Sequence, residues 1–99
     1  MLVFFGSARV QADQLDEVCE AIREYVPKMQ GEEGTLEYFV YQQKDDPQRI
    51  LFFEKYRDQE AKEEHNKHPG LKKMMDVLVR ALEGESFIGT FKEIAVLEK

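Results

Sequence analysis

Apolar residues that recur every three or four positions predict two amphipathic helices in this chain. The first is expected to start after Asp13 as N-cap and to bend or end at Pro27; its stripe consists of Leu15, Val18, Cys19, Ile22, Val26 and Met29. The second is expected to start at Pro69 and to end at Gly84, with the stripe Leu71, Met74, Met75, Leu78, Val79 and Leu82. The polar stretch DQEAKEEHNKH just before Pro69 predicts a short third helix.

Four segments rich in β-branched and aromatic residues predict strands, at 2–10, 35–43, 49–56 and 87–97. The second and third flank the turn sequence KDDPQ, which favours an antiparallel hairpin. The element order is then β-α-β-β-α-β, with the second helical region split at Pro69. This order is typical of a ferredoxin-like split βαβ domain of the α+β class, with helices on one face of a four-stranded antiparallel sheet. A chain of 99 residues without a linker or repeat is expected to form a single domain over residues 1–99.

The predicted hairpin is apolar on both faces. Along 35–43, Leu36, Tyr38 and Val40 are apolar and share one face of the strand. Phe39 and Tyr41 are also apolar and lie on the opposite face. Helices can cover only one face, so the other needs a different cover. We expect a C2 homodimer in which sheet packs on sheet. A ligand cavity lined by aromatic residues is another use for such a surface, and the two are compatible.

Charge and composition exclude several classes of function. Twenty acidic and 14 basic residues give a net charge of −6, which opposes binding to nucleic acid or to an anionic membrane surface. No apolar stretch is long enough to span a membrane, and the N-terminal sequence does not resemble a signal peptide, so a cytoplasmic location is expected. No group of cysteines and histidines has the spacing of a metal site, so no metal ligand is predicted.

Two ionisable residues are the main candidates for chemistry. Glu54 lies in the run LFFEKY in phase with Phe52 and Tyr56, where a carboxylate is costly without a partner. His65 falls on the short helix, on the face shared with Ala61 that must meet the sheet. A Glu54–His65 pair would be either a base oriented by a carboxylate or a buried hydrogen-bonded pair that holds the short helix on the sheet. The residues alone leave both interpretations open.

Other polar residues have weaker signals. Asn66 and Ser7 could each donate a hydrogen bond to a ligand carbonyl, or be solvated or bonded locally. His68, directly before Pro69, is predicted to be a turn or cap residue. The phenols of Tyr38, Tyr41 and Tyr56 suit a flat, oxygenated aromatic ligand and suit a dimer core equally well.

Residues 34–74, GTLEYFVYQQKDDPQRILFFEKYRDQEAKEEHNKHPGLKKM, resemble the antibiotic biosynthesis monooxygenase (ABM) domain. The elements that carry the resemblance are the strand-initiating glycine, the acidic-proline turn, the Glu-x-aromatic strand end, and the alanine and histidine that follow: Gly34, Asp45-Asp46-Pro47, Glu54-Lys55-Tyr56, Ala61 and His65. The resemblance implies a dimeric α+β barrel in which two sheets face each other, with a pocket between sheet and helices in each subunit.

The resemblance also implies a reaction. Enzymes of this family oxidise polycyclic phenols or quinols with molecular oxygen and need no metal, flavin or haem, so no cofactor is expected, and the ligand would be a small aromatic or quinone-like molecule. By carry-over, His65 with Glu54 is the candidate base, and Tyr41, Phe52 and Tyr56 would line the pocket.

Other branches of the family define the alternatives. A haem-degrading branch uses a tryptophan, an asparagine on the first strand and a histidine on the last long helix. This chain has no tryptophan, has Gly6-Ser7 on its first strand and has no histidine after position 68, so haem degradation is not expected. A non-catalytic ligand-binding or stress-associated dimer, or an isomerase of a small carbonyl compound, remain as alternatives.

Overall fold

The structure, a computed structural model of residues 1–99, has the predicted ferredoxin-like α+β fold. In chain order its strands and helices are β1 (Leu2–Arg9), α1 (Leu15–Tyr25), β2 (Thr35–Gln43), β3 (Asp46–Tyr56), α2 (Gln59–Asn66), α3 (Pro69–Ala81) and β4 (Phe87–Phe91). The four strands form one antiparallel sheet in the order β2-β3-β1-β4. None of the helices combines the length and the apolar character that crossing a membrane requires.

The hydrophobic core lies between α1, α3 and one face of the sheet, which we call the inner face. Its buried side chains come from alternate positions of β1 and β3 and from the predicted helical stripes: Ala8, Val10, Val18, Ile22, Tyr25, Met29, Ile50, Phe52, Met74, Leu78 and Ala81. The alternation within the strands and the 3.6-residue period within the helices aim both sets at the same layer. The two amphipathic patterns in the sequence therefore meet in one core.

The opposite face of the sheet, which we call the outer face, carries a cluster of aromatic rings: Phe5, Phe39, Tyr41, Phe53, Phe87 and Phe91. Phe5 contacts the rings of Phe53, Phe87 and Phe91, with centroids 5.0–6.3 Å apart. Tyr41 contacts Phe39 and Phe53 in the same way. Five of the six rings are exposed, Phe5 being the exception. The hairpin is thus apolar on both faces, as its sequence predicted, and the chain covers only one of them.

One predicted boundary of the first helix needs correction, and the other is confirmed. Asp13 is not the N-cap: it lies inside a short 3-10 helix, Ala12–Gln14, and Gln14 precedes α1 without a side-chain cap. At the other end, α1 stops at Tyr25 and continues as a 3-10 helix, Val26–Gly31. Pro27 lies at the start of this 3-10 helix, as expected for a residue that cannot donate the backbone hydrogen bond of an α-helix interior.

Two predicted strands also have different ends. β3 begins at Asp46 rather than at residue 49, because Asp46 pairs with Gln43 across a two-residue turn. The polar residues at its start gave no apolar signal, but Arg9 on β1 forms an ion pair with Asp46. β4 ends at Phe91 rather than at residue 97. Phe91 already pairs with Val3, so only Leu2 of its one neighbouring strand, β1, remains beyond this pair.

Polar side chains fix the starts of α2 and α3. Asp58 Oδ1 accepts a hydrogen bond from the backbone N–H of Ala61 at 2.9 Å, and this bond lowers the pKa of the Asp58 carboxyl. His68 Nδ1 accepts from the backbone N–H of Gly70 at 2.9 Å, which confirms the predicted capping role of His68. These caps set where α2 begins and where the chain turns into α3.

The start of β2 passes directly beneath α2. A Cβ atom added to Gly34 would lie 2.4 Å from Ala61 Cβ and 3.3 Å from Ala61 Cα, so no larger residue fits without moving the helix. The backbone N–H of Arg57 donates to the carbonyl oxygen of Gly34 at 2.9 Å and joins this point to the end of β3. The absence of a side chain at Gly34 therefore sets how closely α2 approaches the sheet.

We expect Gly34→Ala to lower the free energy of unfolding by about 1–3 kcal/mol, because the added methyl group overlaps Ala61. The double variant Gly34→Ala with Ala61→Gly should recover part of this loss, since it removes the opposing Cβ. Gly31→Ala is the matched control, because nothing lies within 4 Å of its added Cβ. Urea unfolding measures all three. An equal response of Gly31→Ala and Gly34→Ala would contradict the steric explanation.

Candidate active site

A partly open cavity of about 370 Å³ lies between the inner face of the sheet and helices α2 and α3. Its walls are mostly apolar, with Phe52 from β3 and Leu71, Met74 and Leu78 from α3. The ring of Tyr38, on β2, forms another part of the wall. Its size and lining are typical of a site for a small, flat organic molecule.

Three ionisable side chains border the cavity: Glu54 from β3, and Lys62 and His65 from α2. Asn66, the last residue of α2, adds an exposed amide at the rim. The sequence singled out Glu54, His65, Phe52 and Asn66, and all four border this cavity. Tyr38 had been considered only as one of three tyrosines that suit either a ligand or a dimer core, and Lys62 had not been assigned to the pocket. Lys62 belongs to the polar stretch DQEAKEEHNKH, in which acidic and basic residues are interspersed and none signals a place in a cavity wall.

Tyr41, which the family resemblance placed in the pocket, lies on the outer face and does not border the cavity. Successive residues of a strand point to opposite faces, so Tyr38 and Val40 on the inner face leave Phe39 and Tyr41 on the outer one. The family resemblance therefore indicated the correct strand but a residue on the wrong face of it. The pocket tyrosine of β2 is Tyr38.

Tyr56 lies behind the cavity wall and does not border the cavity. It is fully buried, and its hydroxyl donates to Glu54 Oε1 at 2.5 Å. Burial, and then the negative charge of Glu54, raise the pKa of the Tyr56 phenol. Tyr56 therefore stays protonated and supports Glu54 from behind.

Ser7 borders the cavity, but its hydroxyl bonds elsewhere. It pairs with Leu51, on the outer face, and its Oγ accepts a hydrogen bond from Arg49 Nη1 at 3.2 Å. The Ser7 hydroxyl thus bonds neither locally nor to the cavity, but to a side chain of the neighbouring strand.

The predicted direct pair of Glu54 with His65 is not formed. The carboxylate partner of His65 is Glu32, whose Oε1 lies 2.9 Å from His65 Nδ1. Thr35 Oγ1 donates to the same oxygen at 2.7 Å. Glu54 is instead held by Tyr56 and by Lys62, whose Nζ is 3.5 Å from Glu54 Oε1.

The change of partner has a simple cause in the backbone. Glu54 and Tyr56 are two residues apart and lie on the same face of β3. The Glu54 carboxylate therefore bonds to the Tyr56 hydroxyl beside it rather than to His65. Glu32 lies in the segment that leads into β2, which Gly34 allows to pass close under α2. Nothing in the sequence GEEG except its acidic residues signalled this role, because the contact depends on how a loop packs.

His65 is buried, with 1% of its surface exposed. Its Nε2 is 3.4 Å from the Tyr25 hydroxyl, a long contact, and the rings of Tyr38 and Tyr56 lie 5.7 and 5.1 Å away. Burial raises the pKa of Tyr25 and of Tyr38, and the nearby carboxylates raise both further. The tyrosines around the imidazole are therefore neutral hydrogen-bonding groups.

His65 also borders a second, polar cavity of about 320 Å³, which includes Glu32, Thr35 and Arg57. The other oxygen of Glu32, Oε2, is buried without a hydrogen-bond partner. No group of three or more histidine, cysteine or acidic side chains is arranged to hold a metal ion. The Glu32–His65 pair thus separates the apolar cavity from a polar one.

This arrangement can move a proton. If the Nδ1–H of His65 donates to Glu32, Nε2 carries the free lone pair, and the carboxylate stabilises the imidazolium that forms when Nε2 takes a proton. Lys62 and Glu54 supply an ion pair on the cavity wall. The fold and the cavity together define a small ferredoxin-like protein with an acid–base site in the wall of a partly open cavity.

Comparison with known proteins assigns the family. Residues 1–77 match the family model described as antibiotic biosynthesis monooxygenase. The chain belongs to the antibiotic biosynthesis monooxygenase family. No curated protein matches the sequence at a significant level.

Solved structures share the fold over almost the whole chain. A crystal structure of an antibiotic biosynthesis monooxygenase is 19% identical, has a TM-score of 0.87 and covers 96% of this chain and 100% of its own. A protein of Nitrosomonas europaea, named as a candidate member of that class, is 20% identical with a TM-score of 0.88, at the same coverage of 96% and 100%. A protein of Mycobacterium tuberculosis is 15% identical with a TM-score of 0.86, covering 98% of both chains. At these identities the likeness establishes the fold.

We expect Glu32→Ala to lower the free energy of unfolding by about 1–3 kcal/mol, because it leaves the buried His65 Nδ1 without its partner. Glu33→Ala is the matched control: the residue is adjacent, carries the same charge and is exposed, so its effect should stay within about 0.5 kcal/mol. Urea unfolding at neutral pH compares the two. Similar losses in both variants would show that the His65–Glu32 bond contributes nothing specific.

Proposed function

We propose that this protein is a cofactor-independent monooxygenase of a small phenol or quinol, with His65 as the general base. The observation that carries the proposal is the buried imidazole, held at Nδ1 by Glu32 in the wall of an aromatic cavity. Family membership supports the reaction class.

In the proposed reaction, the ligand hydroxyl replaces the long 3.4 Å contact between His65 Nε2 and the Tyr25 hydroxyl. Nε2 accepts the hydroxyl proton, and Glu32 stabilises the imidazolium. The resulting phenolate is electron-rich enough to reduce molecular oxygen, so the substrate itself is the electron donor. For an anthrone-type substrate, which ionises as its phenolic tautomer, one oxygen atom enters as a carbonyl at the ring carbon opposite the hydroxyl. The other oxygen leaves as water with the hydrogen of that carbon and the proton that His65 returns.

The cavity walls contribute by excluding water. Phe52, Leu71, Met74 and Leu78 surround the ligand with apolar surface, which strengthens the attraction between the phenolate and nearby positive charge. Tyr38 offers a flat aromatic surface beside the imidazole.

The proposal predicts oxygen uptake with anthrone, measured with an oxygen electrode. His65→Ala should lower kcat/KM by about 10²- to 10⁴-fold, the usual contribution of a general base. His68→Asn is the matched control, because His68 caps α3 without bordering the cavity and asparagine retains a capping group. Circular dichroism of each variant shows whether it is folded, and His65→Gln replaces His65→Ala if the alanine variant unfolds.

Other results would favour the alternative functions. Ligand binding without oxygen uptake would indicate a non-catalytic binding protein. Isotope exchange at a carbon next to a carbonyl, without oxygen uptake, would indicate an isomerase. Uptake that survives in His65→Ala would remove His65 from the base role.

We also propose that the functional unit is a homodimer through the outer face. The support is the aromatic cluster itself: Phe39, Tyr41, Phe53, Phe87 and Phe91 are all exposed on one face of a single sheet. Contiguous exposed apolar surface of this kind is rare on monomers. A second copy of the chain offers the same aromatic surface, and C2 symmetry would bring the two faces together.

Sedimentation at micromolar concentration should therefore give twice the chain mass of 11.6 kDa. Phe53→Glu should yield monomers, because Phe53 contacts Phe5 and Tyr41 within the cluster and a buried carboxylate there has no partner. Gln30→Glu adds the same charge at an exposed site on the helical side and should leave the mass unchanged. A monomeric wild type would contradict the proposal.

A further inference from the structure

We propose that Lys62 makes the cavity selective for aromatic ligands that carry an ionised oxygen, either a phenolate or a carboxylate. This inference rests on the proposed function for one premise, namely that a small aromatic molecule occupies the cavity. The inference extends the proposed function by naming the charge that the ligand carries and Lys62 as the residue that recognises this charge.

The first support is where the Lys62 side chain lies. Lys62 is the only lysine or arginine that borders the cavity, and its side chain is 16% exposed. Lys67, at the end of the same helix, is 73% exposed, as a solvated lysine normally is. α2 thus carries one lysine in the cavity wall and one in solvent.

The second support is that Lys62 has hydrogen-bonding capacity to spare. Its ammonium group has three donors, and its one hydrogen-bond acceptor, Glu54 Oε1, is at 3.5 Å, the outer limit for such a bond. The rings of Phe4 and Tyr56 lie 4.7 and 5.0 Å from Nζ and provide no oxygen acceptor in those directions. Donors therefore remain for a ligand oxygen.

The third support is that Glu54 does not depend on Lys62 alone. Glu54 Oε1 also accepts the Tyr56 hydroxyl at 2.5 Å, so the carboxylate keeps a strong partner when Lys62 turns towards a ligand. The charged groups around a bound anion are then Lys62 and Glu54, with His65 and Glu32 as a separate pair. The Lys62 charge offsets the repulsion from Glu54 and adds a charge-assisted hydrogen bond, which a neutral ligand does not gain.

The inference also fits the chemistry of the proposed reaction. Proton transfer to His65 creates a negative charge on the ligand oxygen, and Lys62, three positions earlier on α2, is the cavity's only fixed cation. A cation that recognises the phenolate lowers the energy of the deprotonated substrate. Lys62 would therefore act on the same charge that the His65 base produces.

Binding of two matched probes tests the inference without any reaction. 2-Naphthoate carries an ionised oxygen, and 2-acetonaphthone has nearly the same shape without charge. In anaerobic titration calorimetry at neutral pH, we expect wild type to prefer naphthoate. Lys62→Met should weaken naphthoate binding by about tenfold or more and change acetonaphthone binding less than about twofold. Lys62→Arg should keep most of the preference, because it keeps the charge.

Two further variants serve as controls. Lys67→Met removes a charge from the same helix outside the cavity and should change neither affinity. Glu54→Gln removes the competing carboxylate and should increase the preference for naphthoate. If Lys62→Met does not fold, the double variant Glu54→Gln with Lys62→Met removes both charges of the pair, and it should bind acetonaphthone without preferring naphthoate.

Several outcomes would overturn the inference. Equal losses for both probes in Lys62→Met would show that Lys62 only packs against the wall. An unchanged preference in Lys62→Met, a similar loss in Lys67→Met, or no binding of either probe to wild type would also exclude it. If the anion preference is found but no oxygen uptake, the role of Lys62 stands and the monooxygenase proposal fails.

Discussion

The site depends on the close approach of α2 to the start of β2 at Gly34. With no side chain at Gly34, Ala61 can sit almost against the backbone, and one turn further along α2 His65 comes within hydrogen-bonding distance of Glu32. A side chain at Gly34 would force Ala61, and α2 with it, away from the start of β2. A packing contact between two small residues therefore fixes the distance between an imidazole and its carboxylate. It also explains why the short helix, whose apolar side is thin, is held firmly against the sheet.

Much of the fold follows from the sequence because hydrophobic periodicity is a local property. The helical stripes and the alternation in the strands were sufficient to predict the element order and the sheet class. The ends of elements depend instead on what lies next to them. β4 stops at Phe91 because its partner β1 begins at Leu2, although the following residues still favour a strand. The start of β3 at Asp46 reflects an ion pair with Arg9, a residue 37 positions away.

The candidate site was only partly predictable, for a related reason. His65 and Glu54 stood out because each is a polar residue on a face that must be buried. Their partners did not, since Glu32 belongs to a loop and Lys62 to a charged helix face. Tyr38 and Tyr41 are the same residue type on the same strand. Only the strand register shows which of them lies on the inner face. Sequence thus identified which groups needed partners, while the packing of loops and helices decided which partners they have.

The aromatic residues of the sheet are divided between two surfaces with different chemistry. On the outer face, rings contact rings and no charged group is needed, which suits association with a like surface. On the inner face, aromatic walls enclose two acid–base pairs, His65–Glu32 and Lys62–Glu54, each with one carboxylate. Because the pairs are separate, His65 can gain a proton without disturbing Glu54, and Lys62 can turn to a ligand without exposing Glu32. Lys62 can therefore bind the charge of a ligand while His65 takes the proton that the ligand loses. The two roles can fall to different residues of α2 because the partner of His65 is Glu32 and not Glu54.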